Sequence, residues 1–133
     1  MNELPDTNAA EARRWLGQAE EELLAARRIA GDAELPARIG CFLAHLAAEK
    51  ALKAYLISRA VPFRRVHDLA DLRALLPSGT DIGISDADLE RLNPWAIEGR
   101  YPGDVADATR SEANECVAAA ERVVGVVSVA IGT

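Results

Sequence analysis

The chain has 133 residues, 50% hydrophobic and 27% charged, enough for one compact core and too few for two ordinary domains, so residues 1–133 are expected to form a single domain. A formal net charge of −6 argues against a surface that coats duplex DNA or anionic lipid and leaves room only for a local basic groove. Cys41 and Cys116 lie in apolar surroundings with no CxxC, no paired histidine spacing and no secretory leader ahead of them. They read as small buried hydrophobes in a reducing cytoplasm.

Residues 1–5 read as a frayed leader. Asp6 or Thr7 can then cap a first helix whose apolar positions Trp15, Ala19, Leu23, Ala26 and Ala30 recur every three or four residues. Gly31 ends it. A second helix begins at Pro36, which suits a first turn, and runs to about Arg59 with Ile39, Phe42, Leu43, Leu46, Leu52 and Leu56 as a broad apolar stripe. Between Val66 and Leu76 a shorter amphipathic helix carries Leu69, Leu72, Leu75 and Leu76 on one face, and Pro77 stops it.

Ser85 followed by Asp88 resembles a capping box with Asp in place of the usual Glu, and Leu89, Leu92 and Trp95 continue a short fourth helix that Asn93-Pro94 bends. After the turn signal Tyr101-Pro102-Gly103 a last helix is expected from about Asp107 to Ile131. Its apolar end, Val123–Ile131, is nine residues where a membrane span needs about 20, so it reads as a buried helix end or an oligomer contact. No strand pattern competes. The expected fold is an all-α antiparallel up-and-down bundle of three long and two short helices.

Both lysines and both histidines fall between His45 and Leu69. Glu49 and Lys53 stand at i and i+4, the favourable order for a helical ion pair worth about 0.2–0.5 kcal/mol, with Lys50 turned away. A solvated charged face is the plain alternative. Arg38, His45 and Glu49 can line one ridge of the same helix. A His beside a Glu can act as a base and an Arg can stabilise a phosphate in flight, the minimum for cleaving RNA through its own 2′-hydroxyl. His67 and Asp68 open the third helix, Asp68 at its positive end and His67 closing the preceding loop. Arg64 and Arg65 form a short basic knot that, with Lys50 and Arg100, could make a small anion pocket. Two histidines and two cysteines supply too few ligands in too irregular a spacing for a metal, and no glycine-rich phosphate loop occurs, so no metal and no cofactor are expected.

Taken jointly, Trp15-Leu16 with its following acidic stretch, AAEKALKAYL at 47–56, Arg65-Val66-His67-Asp68-Leu69, and the segment from Leu92 to Pro102 ending in Arg100-Tyr101-Pro102 resemble the HEPN domain family in order and spacing. The resemblance spans nearly the whole chain. It implies a helical bundle, commonly a homodimer, often acting beside a minimal nucleotidyltransferase in a two-component, toxin–antitoxin-like system, with nucleotide or RNA as ligand. Many relatives are metal-independent ribonucleases whose active site is an Arg followed after four to six residues by His, late in the domain. Here Arg100 has no histidine after it, and the only R-x6-H is Arg38 to His45, in the second helix.

The resemblance carries over the signature Glu49, Lys50, Lys53, His67, Asp68, Arg100 and Tyr101, expected to converge on one groove. The leading expectation is a cytoplasmic, non-catalytic HEPN protein, homodimeric, that binds a nucleotide-like anion or a partner nucleotidyltransferase, with neither membrane nor duplex DNA as partner. One rival is a ribonuclease toxin using Arg38 and His45. Another is a structural helical dimer without ligand.

Overall fold

The computed structural model describes residues 7–77, 80, 83–96 and 107–132. Among these residues there is no strand, and the chain forms three long and two short α-helices. The first, α1 (Thr7–Ala30), buries Ala12, Leu16, Ala19, Leu23, Ala26 and Ala30, a stripe at helical spacing. Leu16 takes the core position next to Trp15, which stays half-buried. Gly31 donates back to Arg27 O and ends the helix.

The second helix, α2 (Ala37–Ser58), is the axis of the molecule. It buries fourteen residues spread around its circumference, because every other helix packs on it. Ala44, Ala47, Ala48, Ala51 and Ala54 keep its surface low enough for α1 and the last helix to approach closely. Pro36 is its N-cap and stands just outside the first turn.

The third helix, α3 (Leu69–Ala74), is shorter than the Val66–Leu76 pattern predicts. Asp68 sets its start by accepting from Ala70 N at 2.9 Å and Asp71 N at 3.2 Å, so Val66 and His67 are left in the loop before it. The fourth, α4 (Asp86–Leu92), begins at Ser85, whose Oγ accepts from Asp88 N at 3.0 Å. The Asp88 carboxylate does not complete the expected reciprocal box, for both of its oxygens take the guanidinium of Arg122. A 3-10 turn at Asn93–Trp95 follows.

The last helix, α5 (Arg110–Ile131), starts three residues later than Asp107 because Thr109 and Glu112 form a full capping box. Residue pairs fix the directions. Arg110 reaches Ile29 O and Ala30 O, and Arg27 meets Glu121, so α1 and α5 run oppositely. Asp88 meets Arg122 and Arg91 meets Glu115, so α4 also opposes α5. Arg59 at the end of α2 reaches Ala130 O near the end of α5, and α3 with α4 supplies the return leg between them. The architecture is therefore the all-α up-and-down bundle that the periodicity predicts. No helix among the described residues is long and apolar enough to cross a membrane, and Val129 in the apolar tail is 82% exposed while Val123 and Val127 are buried.

Candidate functional site

On α2 the sequence places His45, Glu49 and Lys53 at successive turns, and all three are buried, so the solvated-face alternative does not hold for them. Lys53 Nζ donates to Glu49 Oε2 at 2.7 Å. The same oxygen accepts from His67 Nδ1, 2.8 Å away on the loop that enters α3. The Lys53 ammonium also lies 5.9 Å over the Trp15 ring from α1 and 5.6 Å over the Phe63 ring from the loop. Those two rings meet edge to face at 6.3 Å. Three segments distant in sequence thus close on one carboxylate.

The loop between α2 and α3 is held at intervals. Val61 N donates to Leu56 O at 2.9 Å, Phe63 packs on Trp15, His67 binds Glu49, and Leu69 N donates to Asn93 Oδ1 at 3.1 Å. Between these anchors Arg64 and Arg65 are exposed and make no ion pair among the described residues. The His67 side chain is 66% exposed, so it belongs both to the buried network and to the surface.

His45 is fully buried, and neither of its ring nitrogens has a hydrogen-bond partner among the described residues. Its Nδ1 stands 3.7 Å from Glu49 Oε1. Burial holds its pKa below the ordinary imidazole value against the opposing pull of the nearby Glu49 carboxylate, so the ring is neutral at pH 7.

The expected single groove is corrected in three places. Lys50 projects about 100° around α2 from Glu49 and is taken by Glu22 Oε2 at 2.7 Å and Gln18 Oε1 at 3.2 Å of α1. Asp68 spends its carboxylate on the first turn of α3 and does not join Glu49. Arg38 is exposed in the first turn of α2, beside a hollow of about 320 Å³ shared with Leu35, Asp107 and Arg110. Seven residues put about 10 Å of helix between Arg38 and His45, and only the latter is covered, so the ridge proposed for that pair is not formed. Arg100 and Tyr101 lie outside the described residues.

Elsewhere the cysteines are free and buried, and Cys116 Sγ lies 3.6 Å from Arg91 O. Donation of its own S–H toward Cys41, together with burial, pushes the Cys116 thiol far up, which leaves it unreactive. Asp88 is held below the usual carboxylate range by the Arg122 guanidinium. Among the described residues no three His, Cys, Asp or Glu side chains gather as a metal site. Sequence reasoning missed the Trp15 and Phe63 cage around Lys53, for which no spacing signal exists. It also missed the Thr109-x-x-Glu112 box, which was legible.

The arrangement holds a loop in place and sets cationic donors, together with the His67 imidazole on Glu49, at its surface. No curated protein matches the chain. The structure of TT1696 from Thermus thermophilus is 31% identical with a TM-score of 0.75, covering 88% of this chain and 95% of that one. The structure of ST0689, an archaeal HEPN homologue, is 27% identical with a TM-score of 0.66, covering 90% and 97%. The HEPN domain family matches residues 12–130. With that match running through all five helices and two solved structures sharing the bundle almost end to end, the chain belongs to the HEPN family.

Proposed function

We propose that this chain is a non-catalytic HEPN protein that binds a nucleotide-like, phosphate-bearing anion at the α2–α3 loop and works with a minimal nucleotidyltransferase as the other half of a two-component system. The observation that carries the reading is the loop itself. On an acidic chain it presents Arg64, Arg65 and the His67 imidazole within four residues, fixed from beneath by Glu49 and by Phe63 on Trp15. Arginine guanidinium groups match phosphate oxygens in geometry, and a loop already ordered loses little entropy on binding. Lys53 and Lys50 contribute posture, since their ammonium groups are spent on Glu49 and Glu22.

The ribonuclease reading through Arg38 and His45 draws no support from a histidine sealed in the core. Calorimetric titration with ATP and with pyrophosphate tests the binding. Arg64→Ala with Arg65→Ala is expected to weaken it at least tenfold, since each charge-assisted phosphate contact contributes about 1.5–3 kcal/mol. Equal affinity in the double variant, or no heat from either ligand, removes the proposal. Intact RNA after incubation with the purified protein, and unimpaired growth on overexpression, are the outcomes expected against the rival.

A further inference from the structure

A buried polar atom without a partner costs about 1–3 kcal/mol, so His45, with both ring nitrogens in that state among the described residues, is a costly way to fill a core position. Its geometry offers a reason. Glu49 Oε1 stands 3.7 Å from His45 Nδ1, less than about 1 Å beyond hydrogen-bonding distance, while Oε2 of the same carboxylate is engaged by Lys53 and His67. One carboxylate therefore lies between two imidazoles, one sealed in the core and one on a surface loop.

The charged and titratable groups facing His45 are Glu49 and Lys53 on its own helix and His67 and Asp68 from the loop. The faces that α1 and α5 bury carry no charged side chain, and Asp88, buried on α4, is taken by Arg122. The local exchange thus involves Glu49 and the two histidines, with Lys53 as a fixed countercharge.

We propose that Glu49 is a selector between the two imidazoles: with the loop docked it accepts from His67, and with His67 withdrawn it accepts from His45 Nδ1–H. The two arrangements regulate the loop, because release of His67 to a ligand is offset by a hydrogen bond that His45 otherwise lacks. That last step rests on the loop being the binding element. The selector itself is a property of the free protein.

With only two histidines in the chain, nitrogen-detected NMR reads each ring separately. In His67→Ala, an exposed and fold-compatible change, His45 is expected to become a hydrogen-bonded Nδ1–H tautomer. Its titration midpoint is expected to rise by roughly one pH unit. Adding Glu49→Gln should return the midpoint toward the wild-type value. An unchanged His45 tautomer and midpoint in His67→Ala, with the backbone spectrum otherwise preserved, overturns the selector. Pyrophosphate added to the wild type should move both rings together. A spectrum indifferent to pyrophosphate counts against the loop as a binding element, while the His67→Ala result alone judges the selector.

Discussion

Lys53→Met isolates the ammonium at the centre of the network. The substitution keeps the length of the side chain and its contact with Trp15 and Phe63 and removes one of the two donors to Glu49 Oε2. Breaking a buried ion pair by removing one partner costs about 3–5 kcal/mol. Here His67 still donates to the same oxygen, so about 2–4 kcal/mol is expected, together with part of the cation–π attraction. Urea denaturation followed by circular dichroism should show a lower midpoint with an unchanged slope. Adding Glu49→Leu should recover much of the loss, because the carboxylate would no longer be buried short of a partner. A loss below about 1 kcal/mol in the single variant, or a double variant as unstable as the sum of the two singles, would refute the claim that these charges form one buried unit.

Four further outcomes follow from the same structure. Arg110 donates to Ile29 O at 2.7 Å and Ala30 O at 3.2 Å and so closes the C-terminal end of α1; Arg110→Ala should cost about 2 kcal/mol by the same denaturation measurement. Thr109→Ala removes the capping box of α5 and should cost about 1 kcal/mol. Gly125, exposed in α5 with open space where a methyl group would stand, should accept Ala with a gain of about 0.5–1 kcal/mol in thermal denaturation. The last concerns pH. Because burial lowers the folded-state pKa of His45, the unfolded chain binds a proton more readily, so stability is complete above the ordinary imidazole value and falls as pH drops below it. Asp88, depressed by Arg122, adds a second loss at lower pH, as the solution falls through the carboxylate range toward its folded value. His45→Leu should abolish the first fall and Asp88→Asn the second, read as midpoints across a pH series.

Periodicity made α1 and α5 legible because their cores repeat at three and four residues, and Gly31 marks the stop of α1. In α2 the alanines form the core on several faces, and of the expected stripe Leu52 and Leu56 are buried while Ile39, Phe42, Leu43 and Leu46 are half-buried. The boundaries missed were those set by side-chain caps. Asp68 starts α3 later than its leucine pattern implies, and Thr109 starts α5 later than Asp107. The pairing of Glu49 with Lys53 was legible from spacing, yet its burial was not, since burial depends on Trp15 and Phe63 arriving from elsewhere. Helical spacing likewise put Arg38 on the ridge of His45 without revealing that the bundle covers one and leaves the other open. Lys50 leaves the expected groove for a related reason: which partner claims a charge is decided by the neighbouring helix, here through Glu22.

The central proposal is that the chain uses a cationic loop anchored on Glu49 to hold a phosphate-bearing ligand. Titration calorimetry with ATP on the wild type and on Arg64→Ala/Arg65→Ala, with the helical content of both checked, tests it most directly. The account predicts saturable binding in the wild type and at least a tenfold weaker constant in the folded double variant. Identical binding in the two proteins, or none in either, would contradict it.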